Sequence, residues 1–247
     1  MPSAHRYALY LAPTGPWREL GSRWLGRCAD TGAALPPLPG QPEAARDWTA
    51  APRHYGLHAT LKPPFRLRAG ATPRDVDAAA RRLAAGDSAF GIQLECEPLR
   101  GFLAWRIASS DADGRARINA LAAAAVRGLD DLRAAPGADE LARRQAHALS
   151  PEQQAMLARW GYPYVFDTFT FHITLTGKLD GEALEQARAG IAAFADPLRG
   201  QPMPVPGVSV YVQPEAGADF IAARHYRFDG GHVDAAGAAY LEGPAAA

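Results

Sequence analysis

Apolar positions change their period several times along the chain, and each change predicts an element. Tyr7 to Ala12 is a short aromatic and aliphatic run ended by Pro13, which predicts a strand. The stretch over 13–53, with Trp17, Trp24 and Trp48 among prolines and glycines, reads as mostly irregular, with one helix around Trp17 to Arg27. His54 to Leu61 reads as a strand halted by Pro63-Pro64, because proline cannot donate to a ladder. Thr72-Pro73 opens a helix with Thr72 as N-cap and Asp75 in the first turn; Val76, Ala79, Ala80 and Leu83 form its inner stripe and Gly86 ends it. Phe90 to Glu97 and Phe102 to Ala108 alternate as two strands joined at Pro98 to Gly101. Ile118, Leu121, Ala125, Leu129 and Leu132 recur at helical spacing, Asp139 to Leu149 continues in that style, and Ser150-Pro151 with Gln153 starts a further helix by a capping box. Thr168 to Thr176 is a strand candidate, Asp180 caps a helix facing inward through Leu184, Ala187, Ile191 and Phe194, and Val205 to Gln213 and Phe220 to Phe228 are strands around a turn over 214–219.

The order strand, helix, strand, strand thus occurs twice, over 54–108 and 168–228, around a helical insertion at about 115–160. The predicted class is α+β: duplicated β-α-β-β lobes in a single domain spanning 1–247. The first strand of each copy carries the same text, His58-Ala59-Thr60-Leu61 and His172-Ile173-Thr174-Leu175. Strand side chains alternate faces, so each histidine shares a face with the threonine two residues on, while Leu57, Ala59 and Leu61, or Phe171, Ile173 and Leu175, face the core. Copies related by a pseudo-twofold would bring both pairs to the walls of one central cleft. Lys62 and Lys178 are the only lysines beside 24 arginines, and both follow the motifs at even offsets from the histidine. Regular strands would put both ammonium groups on the histidine face, where a compact charge suits an anion.

Composition narrows the chemistry. At 48% hydrophobic and 21% charged residues the chain is a folded globular protein. Equal numbers of cationic and anionic side chains, 26 each, give no field to hold a long nucleic acid, though a local basic pocket is compatible with that balance. Cys28 and Cys96 stand far apart without a CxxC, so neither a disulfide framework nor a cysteine zinc site is expected, and a reducing cytoplasm fits best. No window predicts a membrane span or a secretory leader. Two imidazoles, two hydroxyls and two ammonium groups suit a phosphodiester whose reaction moves two protons: one histidine deprotonates the nucleophile and the other protonates the leaving oxygen. Thr60 and Thr174 would bond the non-bridging oxygens, and Lys62 or Lys178 would neutralise their charge, with neither metal nor other cofactor required.

Paired His-x-Thr-x motifs on a duplicated strand, helix, hairpin unit resemble the 2H phosphoesterase superfamily. The strings Arg6-Tyr7-Ala8-Leu9-Tyr10, Gly21-Ser22-Arg23-Trp24-Leu25-Gly26, Tyr55 through Phe65 (YGLHATLKPPF) and Phe171 through Gly177 (FHITLTG) resemble its branch associated with phosphonate metabolism. The resemblance runs from Arg6 to about Phe228. It implies a bilobal cleft, catalysis by His58 and His172 without a metal, and a small cyclic phosphate or nucleotide-like substrate, a cyclic ribose phosphate among them. The 114-residue spacing of the motifs is long for the superfamily, which the helical insertion explains.

Further candidates for the pocket are Tyr10 and Tyr55, which could stack a base or sugar, together with Thr176 and Gln213. Arg224 and His54 are weaker, and His5, His147, His225 and His232 lack ligand spacing. Two rival readings use the same residues. In one, His54, His58 and His172 ligate a metal, which leaves the threonines without a role. In the other, the cleft binds nucleotides or RNA ends without turnover.

Overall fold

The computed structural model describes residues 3–137, 140–142 and 148–243. Eight strands form one antiparallel sheet in the order β10-β9-β8-β1-β2-β6-β5-β4, and β3 pairs with β7 in a small second sheet. The strands are β1 Arg6–Leu11, β2 Ala59–Phe65, β3 Phe90–Ile92, β4 Leu94–Leu99, β5 Phe102–Ile107, β6 Ile173–Thr174, β7 Met203–Val205, β8 Gly207–Gln213, β9 Ile221–Arg227 and β10 His232–Asp234. The helices are α1 Gly15–Leu25, α2 Ala45–Trp48, α3 Ala50–Arg53, α4 Pro73–Ala85, α5 Ala112–Leu129, α6 Pro151–Trp160 and α7 Gly181–Ala195.

One face of the sheet is apolar. Tyr7, Leu9, Leu11, Leu61, Ile173 and Leu175 pack there with Trp24 of α1, Val76 and Ala80 of α4, Ile118 and Leu121 of α5 and Ile191 of α7. The indole of Trp24 donates to the Leu175 carbonyl at 2.9 Å, which ties α1 to the segment leaving β6. Helix α4 carries the predicted capping box between Thr72 and Asp75, and α6 the one between Ser150 and Gln153. The expected helical continuation over Asp139–Leu149 lies largely outside the described residues.

Three strands depart from the sequence reading. β2 begins at Ala59 and runs through Pro63-Pro64 to Phe65. β6 pairs with it only opposite Ala59, so beyond that point β2 behaves as an edge paired to β1 alone. Register shifts there absorb the missing proline N–H groups. β6 is two residues long instead of nine. Thr168 turns its hydroxyl to the carbonyls of Pro163 and Val165, and the Thr176 hydroxyl takes the Leu103 N–H, so local side-chain bonds displace the ladder at both ends. The run Phe90 to Glu97 is split, because Phe90–Ile92 pairs with β7 rather than β5.

Candidate active site on the open face

β2 and β6 are adjacent and antiparallel, with Ala59 opposite Ile173. Continued by one residue each way, this register sets His58 across from Thr174 and Thr60 across from His172. Directly opposed side chains stand about 5 Å apart and diagonal ones about 7–8 Å. The predicted alternation holds: Ala59, Leu61, Ile173 and Leu175 are buried, while His58, Thr60, His172 and Thr174 are partly accessible on the other face. Neither threonine hydroxyl is engaged by another described residue.

The two imidazoles are held alike. Nδ1 of His58 donates to the Gly56 carbonyl at 2.9 Å, and Nδ1 of His172 donates to the Thr170 carbonyl at 2.8 Å. A carbonyl only accepts, so Nδ1 carries hydrogen in both rings, and Nε2 is left to take or give a proton. Gly56 has φ +76°, and a Cβ there would lie 2.6 Å from that of Ala29, so glycine is what lets its carbonyl reach His58.

Their surroundings differ. Tyr10 stacks on His58 with centroids 3.9 Å apart, and Tyr55 and Tyr211 stand 5.9 and 6.4 Å away. Burial in this niche pulls the His58 pKa down to about 4, against its carbonyl bond and with a smaller contribution from the charge of His172. Burial also lowers the pKa of His172, and Arg100 and Arg106 push it further down.

The structure places the other predicted residues as follows. Tyr10 is fully buried and supports His58 instead of offering a face to a ligand. Tyr55 lies at the site edge, stacked on Phe220 at 5.1 Å. Lys62 is not on the histidine face. A register shift between the Leu9 and Tyr10 pairings turns it to the helical side, where it is 1% exposed and donates to the Asp130 carboxylate at 2.8 Å and the Val126 carbonyl at 3.2 Å. Thr176 is buried and spends its hydroxyl on the Leu103 N–H. Gln213 is buried too: its amide accepts from Arg6 Nε at 2.7 Å and donates to the Ala218 carbonyl at 2.8 Å, which makes it a tie between β1 and the turn after β8. Lys178 lies past the end of β6, where the even-offset rule no longer applies, and is exposed beside the β4–β5 turn. Arg224 pairs with Asp77 of α4 and with Asp234 on the helical side. His54 is bonded to Asp219 at 2.8 Å, and among the described residues no group of three His, Cys, Asp or Glu is placed to hold a metal, so the proposed ligand trio does not assemble.

A cavity of about 110 Å³ opens beside His172, lined among others by Thr60, Arg100, Phe102, Tyr162 and Tyr164. The tyrosines come from the segment after α6, so the end of the insertion forms a wall of the site. Sequence reasoning missed the arginines. Register continued from Trp105 opposite Ile173 puts Arg106 across from His172. Arg106 donates to Glu97 at 3.0 Å while its buried Nε lacks a partner among the described residues. It is the charged residue in the otherwise apolar strand FLAWRI, and that interruption was the available signal. Arg100 occupies the two-residue turn Arg100-Gly101 with φ +51°, a left-handed conformation that costs a non-glycine residue roughly 1 kcal/mol or more. Its guanidinium stacks on Tyr164 at 4.2 Å.

A family profile described as "Protein of unknown function (DUF1045)" matches residues 60–221. The chain is similar to a protein of Laribacter hongkongensis (strain HLHK9) named "Ribose 1,5-bisphosphate phosphokinase PhnN", 42% identical over 224 residues, which are 89% of this chain and 51% of the relative. A protein of the same name from Janthinobacterium sp. (strain Marseille) is 34% identical over 238 residues, 92% of this chain and 52% of the relative. The chain spans about half the length of these curated relatives. Among the described residues no helix is long and apolar enough to cross a membrane.

Proposed function

The chain belongs to the family described as "Protein of unknown function (DUF1045)", and from that premise we propose that it is a phosphodiesterase opening a small cyclic phosphate by paired histidine acid and base catalysis. The carrying observation is the matched pair of tethered imidazoles, each immediately before one of two adjacent strands paired at Ala59 and Ile173, with Nε2 left for proton transfer and a threonine hydroxyl unengaged among the described residues two positions on. In the proposed reaction a water oxygen attacks phosphorus, and one imidazole takes the water proton. The ester P–O bond opposite the attack breaks, and the other imidazole, protonated beforehand, gives its proton to the leaving oxygen. A monoester and a free hydroxyl result. Thr60 and Thr174 hydrogen-bond the non-bridging oxygens as charge gathers on them. Every group this scheme needs is a side chain of the chain itself, so the reaction proceeds without a metal.

In this reading β2 and β6 are equivalent members of two duplicated lobes, with the cleft between them on the pseudo-twofold. The motif resemblance to the phosphonate-associated branch, and relatives named for a kinase of ribose 1,5-bisphosphate, support a ribose phosphate ester as substrate and a role in phosphonate metabolism. The kinase name belongs to relatives of which this chain spans about half. A P-loop needs Gly-Lys followed by Ser or Thr, whereas Lys62 precedes Pro63 and Lys178 precedes Leu179. The test is a panel of nucleoside 2′,3′-cyclic and ribosyl 1,2-cyclic phosphates followed by phosphorus NMR in excess chelator. Ring opening of at least one compound is expected; inertness toward the panel, or activity abolished by the chelator and restored by zinc, would overturn the proposal.

A further inference from the structure

Arg100 is not used by the proton transfers above, yet three observations aim it at a ligand. It stands in a left-handed turn position that favours glycine or asparagine. Its guanidinium, stacked on Tyr164, has no hydrogen-bond or ion-pair partner among the described residues. It lines the same cavity as His172 and Thr60. A second cation without an ion-pair partner among the described residues is next to it: a Cβ placed on Gly101 would lie 3.9 Å from Cγ of Lys178, and the Leu179 N–H donates to the Gly101 carbonyl at 2.8 Å. The cavity thus brings His172 and Thr60, where a phosphodiester would react, together with Arg100, and Lys178 stands beside the Arg100-Gly101 turn.

We propose that Arg100, assisted by Lys178, binds a second phosphoryl group of the substrate, so that the preferred substrate is a cyclic phosphodiester of a sugar that also carries a phosphate monoester. The inference rests on the cyclic phosphodiester reading and narrows its substrate class. A guanidinium held flat by a tyrosine presents its N–H fork to a dianionic phosphate, which a singly charged diester or an uncharged base would not match. Arg106 does not share this role, because Glu97 already occupies its outer nitrogen.

The experiment measures binding and turnover separately. Ribosyl 1,2-cyclic phosphate with and without a 5-phosphate is titrated calorimetrically into the H58A protein and into H58A carrying R100N or R100K. Asparagine tolerates the left-handed turn, so R100N removes the charge while sparing the backbone. The expected result is at least about tenfold tighter binding of the doubly phosphorylated compound, a preference that R100N reduces to near one and R100K partly restores. Equal binding of the two compounds, a preference that R100N leaves intact, or no binding of either at millimolar concentration would each overturn the proposal. Turnover of both compounds by the wild-type protein is followed in parallel. Failure to turn over either one, with the Arg100-dependent preference intact, would count against the catalytic reading and not against the clamp.

Discussion

Gly56 governs His58 through two constraints at once, a left-handed backbone and contact with Ala29. Gly56→Ala is expected to destabilise the fold by roughly 1–3 kcal/mol and to lower kcat in the molecules that remain folded, because the carbonyl that sets the imidazole tautomer moves. Thermal unfolding beside single-turnover rates checks both parts, and a variant with unchanged kcat would show that the tether is dispensable. The two depressed histidine pKa values also fix the pH profile. The base must be neutral and the acid protonated in the free enzyme, so kcat/KM rises through about 4, where His58 titrates, and declines again below pH 6.5, where the lowered His172 does. Arg100 holds His172 down, so Arg100→Asn is expected to move the declining limb to higher pH, and a limb that stays in place would contradict that coupling. At this scale the sequence shows the histidines and threonines, because a repeated four-residue text needs no geometry. Arg100 and Arg106 stayed hidden because their meaning arises only when the β4–β5 hairpin is laid beside β6.

Among elements, β2 carries the informative discrepancy. Alternation extrapolated past Leu61 puts Lys62 in the cleft, but one shifted register sends it to Asp130 under α5. Lys62→Met is therefore expected to cost roughly 1–3 kcal/mol of stability by leaving Asp130 with arginine partners alone. Its kcat should stay within about twofold of wild type, since surface and core changes remote from the chemistry act through folding. A loss of several orders of magnitude in kcat at full folding would return Lys62 to the active site. Helices α4 and α6 were legible because their capping boxes are local, three-residue bargains between side chain and backbone. β6 was not, because Thr168 and Thr176 have high strand propensity yet spend their hydroxyls on turns and on Leu103.

Across the whole molecule, one continuous sheet separates a helical side that holds the main core from a second side that carries a smaller apolar cluster around Tyr10 and Tyr211 together with the candidate chemistry. That second side also holds His225, bonded to Ser209 at 2.7 Å, with its pKa lowered by burial to about 4. Unfolded chains take up protons on these histidines near pH 6.5, whereas the folded chain refuses them until about 4. The stability that neutral His58 and His225 allow is thus fully present above 6.5 and is lost as pH falls toward 4. Urea midpoints are expected to decline across that window, and a flat midpoint down to pH 4 would contradict the depressed values. The central claim, that His58 and His172 serve one phosphorus atom, is tested most directly by a double-mutant cycle on cyclic phosphate hydrolysis. Two groups acting as a unit predict that H58A, H172A and the double variant each fall about two to four orders of magnitude, with the double little worse than either single; wild-type turnover by either single variant would contradict it.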